Sequence, residues 1–133
     1  MTKTTQYPEK RATKKTEIWF DEEGVLWLKP IKEANVDLKE IMTCFKIYRE
    51  MGCDKKKVLQ VIDARATVSI THEAREYTSK HGNDFFIASA VISNSLAIRL
   101  IVNFFNSFYN QKLPLKMFAT EKAALKWLRS FRK

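Results

Sequence analysis

The sequence predicts a single α/β domain: a small mixed sheet of five strands covered by helices, in the order ββαβαβαβα. Three observations lead there. Two runs rich in aromatic and β-branched residues, 17–20 (EIWF) and 25–28 (VLWL), flank an acidic turn that ends in a glycine. Three later apolar runs each precede a segment with a capping residue and helical periodicity. The 133 residues, 45% of them hydrophobic, match one domain and suffice for a core without disulfides or metal.

The first element is a β-hairpin over 17–28, because Asp21, Glu22, Glu23 and Gly24 form a turn and glycine takes positive φ freely. Pro30 ends its second strand. Asp37 followed by Glu40 offers a capping box for a helix whose Leu38, Ile41, Met42, Phe45 and Tyr48 share one face, and Gly52 stops it. Residues 58–62 (VLQVI) are a strand closed by Asp63. The stretch 63–71 is a loop, and Thr71 caps a helix that turns Ala74, Tyr77 and Thr78 inward. Residues 85–92 are again a strand, Ser95 caps a helix to about residue 110, and Pro114 separates it from a last strand at 115–118. Thr120 caps the closing helix, with Ala124, Trp127, Leu128 and Phe131 as its stripe. Helical crossovers require parallel pairing after the hairpin, so the sheet is mixed.

Charge and cysteine usage narrow the function classes. Of the net +9, the segment 1–16 carries +4 and is expected to be a flexible basic tail; 17–133 is the domain. The rest is spread thinly, and Lys55, Lys56 and Lys57 form the one internal basic run, so a solvated surface is expected and no specific nucleic acid. The tail lacks the apolar stretch of a secretory signal or anchor. The charge-poor stretch 85–109 is broken at Ser93, Asn94 and Ser95 and holds Arg99, Asn103 and Asn106, so no membrane span is expected. Cys44 and Cys53 lie along or just past one helix, too far apart to bridge, and read as free thiols of a cytoplasmic protein.

Taken together, Val61, Ile62 and Asp63 at the end of a central strand, the run Thr71 to Tyr77 (THEAREY), Ser95 to Arg99 (SLAIR) with Asn103, Phe104 and Phe105, Pro114 to Phe118 (PLKMF) and Ala124 to Leu128 (ALKWL) resemble the SpoIIAA-like superfamily. That group includes STAS domains and neighbours of the lipid-binding CRAL-TRIO (SEC14-like) kind, and the likeness is closer to uncharacterised bacterial STAS/SEC14-type proteins. The resemblance covers about residues 17–131 and implies fold more than activity. STAS anti-anti-sigma factors carry a phosphorylated serine in an Asp-Ser-Ser-Gly-like loop after the central strand. Here the loop reads DARATVSIT, without that Ser-Gly pair; Ser69 and Thr71 are the candidate phospho-acceptors, and helix capping accounts for both.

No catalytic, cofactor or metal constellation stands out. His72 and Glu73 begin a zincin-like motif, but Glu76 occupies the place of the second histidine. The three glycines are isolated, and no serine sits in a nucleophile elbow. Two features remain. Beyond the carboxyl ends of the parallel strands, Arg65, Ser95, Arg99 and Thr120 form a candidate surface for an anion or acidic partner, against the plainer reading that the arginines pair with Asp63 and Glu73 or face water. On the helix 95–110, Arg99, Asn103, Asn106 and Asn110 make one narrow polar stripe, and the apolar remainder exceeds what one sheet covers. Ile98, Ile101, Phe104, Phe105 and Phe108 are the candidate apolar interface or pocket. The expected function is a non-catalytic protein-binding or regulatory module, with this helix as the candidate homodimer interface; the alternative is a carrier of a lipid-like or other apolar small molecule in a pocket beneath it.

Overall fold

The structure, a computed structural model, describes residues 7–31, 34–108 and 112–132, with the backbone alone at Ala34, Val68 and Phe108. Strand β1 (Arg11–Ala12) pairs antiparallel with β2 (Thr16–Phe20), and β2 forms the hairpin with β3 (Leu26–Pro30). The turn is organised by Asp21. One carboxylate oxygen accepts the backbone N–H groups of Glu23 and Val25 at 2.8 and 3.0 Å, and the other accepts the Trp27 indole N–H at 3.0 Å. Gly24 sits at φ +80°, the left-handed region open to glycine. Trp19 and Trp27 are cross-strand partners with stacked rings 5.7 Å apart.

Next come β4 (Ala34–Val36), α1 (Leu38–Glu50), β5 (Val58–Asp63), β6 (Thr67–Ile70), α2 (His72–His81), β7 (Phe86–Ile92), α3 (Leu96–Phe108), β8 (Leu115–Phe118) and α4 (Glu121–Arg129). The main sheet runs β1-β2-β3-β5-β7-β8, parallel from β3 onward, so the mixed sheet and the helical crossovers of the sequence reading are present. Its five expected strands gain β1 as an edge. A second, two-stranded parallel sheet joins β4 to β6. The segment 63–71 is therefore not all loop: the β-branched Thr67, Val68 and Ile70 extend it into β6. The part of the expected tail from Tyr7 onward also lies on the domain. Tyr7 stacks on Phe20 at 5.1 Å, Arg11 pairs with Glu50 at 2.9 Å and Lys10 with Glu17 at 3.3 Å. Its charges find partners on α1 and β2 rather than solvent alone.

Helix α1 starts after Asp37, whose carboxylate accepts the Glu40 N–H at 2.9 Å, and stops just before Gly52, at φ +88°. Glu40 does not complete a capping box. Its Oε2 instead accepts the hydroxyls of Thr13 at 2.5 Å and Thr16 at 2.6 Å, with the Cys44 thiol at 3.8 Å, tying β2 to the helix. Met42, expected on the buried face, is 48% exposed, while Cys44 and Ile47 take that place.

The sheet carries helices on both faces. On one, α4 sets Ala124 and Leu128 against Val61, Ala88, Ala90 and Ile92; the two alanines let the helix approach closely. On the other lie two separate clusters, one built on α1 and α2 around Phe45 and Tyr48, and a smaller one under α3 from Ile98, Val102, Val91 and Ala64. In β7 the register steps from Val58↔Phe86 to Leu59↔Ala88, leaving Ile87 as an extra residue, 43% exposed. The bulge sets Phe86 on the α1 face and Ala88 on the α4 face.

Candidate functional site

The carboxyl ends of β5, β7 and β8 converge; β7 leads to α3, β8 to α4, and β5 through β6 to α2. Ala64 donates its N–H to Ile92 and Ser93 donates to Phe118, which holds the three ends in register. Asp63 is 3% exposed, and Arg65 grips its carboxylate with Nε at 2.8 Å and Nη2 at 2.7 Å. The same Nη2 reaches Glu121 at 2.9 Å, joining this loop to the first turn of α4 across 56 residues. The Arg65 guanidinium holds Asp63 below the usual carboxylate range, and the two carboxylates raise Arg65 in turn.

Of the four residues expected to receive an anion, Arg65 is thus held by two carboxylates, and its pairing with Asp63 is the plainer arrangement that the sequence also offered. Thr120 Oγ1 accepts the Ala123 N–H at 3.2 Å, and Ser95 Oγ accepts the Ile98 N–H at 3.4 Å; both act as helix caps. Arg99 is exposed and makes no ion pair among the described residues. The structure brings Arg65 and Thr120 together through the start of α4, while Ser95 and Arg99 belong to the start of α3.

Thr71 is the cap of α2, accepting the Ala74 N–H at 3.2 Å. Ser69 is not a cap. It lies exposed in β6 and donates its hydroxyl to Asn35 Oδ1 at 2.6 Å, bridging β6 to β4. His72 lies 3.7 Å from Glu76 one turn along α2, and Asp63 is taken by Arg65, so His72, Glu73 and Asp63 are not drawn into one group. Among the described residues no three His, Cys, Asp or Glu side chains are placed to hold a metal ion. No described helix is long and apolar enough to cross a membrane.

Helix α3 divides its apolar residues between two faces. Ile98, Val102 and Phe105 are buried against the sheet and Ile101 is half-buried. Leu96, Leu100 and Phe104, at i, i+4 and i+8, form an outer stripe with exposures of 69, 60 and 37%. The expected interface of Ile98, Ile101, Phe104, Phe105 and Phe108 is therefore split. Ile98, Ile101 and Phe105 face inward, Phe104 faces outward beneath the Arg75 guanidinium at 5.7 Å, and the Phe108 side chain lies outside the described residues, as does Asn110. Leu96 and Leu100 were legible in the sequence as the apolar excess of this helix, but periodicity alone does not say which of two apolar arcs the sheet takes.

Beneath α3 the inner face borders a cavity of about 100 Å³. Pockets that enclose drug-sized ligands begin at roughly 300 Å³, so the volume does not support a carrier of lipid-like molecules.

Comparison with known proteins agrees with this architecture. An uncharacterised protein of the DUF3478 family with a SpoIIAA-like fold, from Shewanella loihica PV-4, superposes with a TM-score of 0.62 at 15% identity, covering 85% of this chain and 91% of its own. The anti-sigma factor antagonist SpoIIAA in its unphosphorylated form superposes with a TM-score of 0.56 at 10% identity, covering 87% of this chain and 99% of its own. The fold is SpoIIAA-like, as the sequence resemblance implied. No curated protein matches the chain. The family described as Domain of unknown function (DUF7793) matches residues 18–132, nearly the whole length, and the chain belongs to that family.

Proposed function

We propose that this protein is a non-catalytic binding or regulatory module that docks a protein partner on the outer face of α3. The carrying observation is the pair Leu96 and Leu100, apolar and more than half exposed on a helix whose opposite side is already buried. Covering each leucine is worth about 1.5–3 kcal/mol, enough to anchor an interface. Arg99 lies beside them on the same helix, exposed, and suits a partner that offers an apolar contact rimmed by acidic groups. The shared fold of an anti-sigma factor antagonist supports a regulatory protein-binding role in the cytoplasm.

A second copy of the chain is the other occupant of the same face, and one experiment separates the two. A photo-crosslinking residue is placed at Leu100, and in a parallel sample at Ile87, which is also exposed but lies on β7. Crosslinks at Leu100 to one defined protein, absent at Ile87 and lost on Leu96→Asp, support the docking face; crosslinks to the chain itself identify a homodimer. Equal yields at the two positions, or none at Leu100, would overturn the reading.

A further inference from the structure

At the amino-terminal ends of the parallel strands lies a second hollow, an open cleft of about 430 Å³. Small-molecule sites span roughly 300–1,000 Å³, so this one is large enough. Its walls come from separate parts of the chain: the turn between α1 and β5, the start of β5, the β7 bulge, Gly24 of the hairpin with Tyr7 beside it, and Arg132 just past α4. None of the lining residues belongs to α3, so this cleft and the docking face can fail independently.

Two of its features are not explained by packing. The first is Ile87. The bulge that adds this residue to β7 places it in the cleft wall with Phe20 and Val58, where it stays 43% exposed. Bulges commonly re-aim one side chain beside a site. The second is charge. Lys56 and Lys57 line the cleft, both are exposed, and neither has an ion-pair partner among the described residues.

The opposing charges nearby are already engaged. Glu23 is the carboxylate in the wall, and Arg129 grips it with Nε at 3.0 Å and Nη2 at 2.8 Å, while Arg132 donates to the Glu23 carbonyl. Asp54 and Lys55, next along the turn, offset each other in charge. What remains is an apolar surface beside two unpaired ammonium groups.

We propose that this cleft binds a small aromatic phosphate monoester, its ring on Phe20, Val58 and Ile87 and its phosphate on Lys56 and Lys57. A phosphate monoester carries close to two negative charges at pH 7, which matches the two lysines where a single carboxylate would leave one unanswered. The compact lysine ammonium binds phosphate as a point charge. Exposed ion pairs contribute little by themselves, so the ring is needed as well, to cover the apolar wall.

The test is titration of the ¹⁵N-labelled full chain at pH 7 with phenyl phosphate and with inorganic phosphate, read from the amide shifts of Gly52, Lys57 and Ile87. Phenyl phosphate should shift them saturably and bind about tenfold more tightly than inorganic phosphate, because it alone covers the apolar wall. Lys56→Gln combined with Lys57→Gln should weaken phenyl phosphate about fivefold. Lys122→Gln combined with Lys126→Gln, an equal loss of charge on α4, should leave its affinity within about twofold. Ile87→Ser should cut the preference for phenyl phosphate to about threefold. Shifts that do not saturate, equal affinity for the two anions, equal weakening by the two lysine pairs, or a preference unchanged in Ile87→Ser would each overturn the proposal. The side chains exchanged are all exposed, so the variants keep the fold.

Discussion

Replacing Glu40 by alanine should be among the most damaging single changes, and the structure sets its size. The Glu40 carboxylate is buried at the third position of α1, where the helix N-terminus favours a negative charge. It receives the Thr16 hydroxyl at 2.6 Å and the Thr13 hydroxyl at 2.5 Å. Hydrogen bonds to a charged group contribute about 1.5–3 kcal/mol, and a buried hydroxyl left without a partner costs about 1–3 kcal/mol. Thr16 is 2% exposed, so water does not reach it to compensate. The expected loss for Glu40→Ala is therefore about 3–4 kcal/mol, read from urea unfolding by circular dichroism. Thr16→Val removes the orphaned hydroxyl and should give back about 1–2 kcal/mol in the Glu40→Ala background. A loss below about 1 kcal/mol, or strict additivity of the two changes, would refute the idea that Glu40 pins the N-terminal strands to α1.

Three further outcomes follow from other parts of the fold. Asp63 titrates below its unfolded value of about 3.9, because Arg65 binds its charged form. The stabilisation is therefore fully present above about pH 4 and is lost as pH falls through the folded value, so Asp63→Asn should narrow the gap in urea midpoint between pH 6 and pH 3; an unchanged gap would count against the pair. Burial pushes the Cys44 and Cys53 thiols up to about 12, so at pH 8 a disulfide reagent should label both only as fast as the protein opens, and rapid labelling in native buffer would contradict their burial. Gly24→Ala should cost about 1–2 kcal/mol from its positive φ and more because its Cβ would lie 2.6 Å from the Tyr7 hydroxyl. In a Tyr7→Ala background the loss should fall toward the φ cost alone, and an unchanged loss would argue against that contact.

The parts of the fold that rest on local chemistry were legible in the sequence. Asp37, Thr71, Ser95 and Thr120 cap the helices as their spacing implied, and the strand 115–118 stands where it was expected. Elements that depend on distant partners were not. Strand β6 exists because β4, three residues long, lies beside it, and neither has an apolar run long enough to stand out. Glu40 reads locally as half of a capping box, and only the arrival of Thr13 and Thr16 from the preceding strands redirects it. In the same way, Arg65 in isolation is a cation near helix N-termini, suited to an anion. Its pairing with Asp63 is local and was among the readings of the sequence, whereas the second carboxylate, Glu121, stands 56 residues away.

The extra residue in β7 has a consequence for how this strand tolerates changes in length. Along a regular strand, losing one residue inverts every side chain on one side of the break. Ile87 is different, because the faces of Phe86 and Ala88 already alternate as though it were missing. Excising Ile87 would leave Phe86 against Tyr48 and Ala88 beneath α4, whereas excising Ala88 would bring the larger Ile87 into the small alanine's place beneath α4. The centre of the sheet thus has a position where a codon could be lost without any other side chain taking a new place.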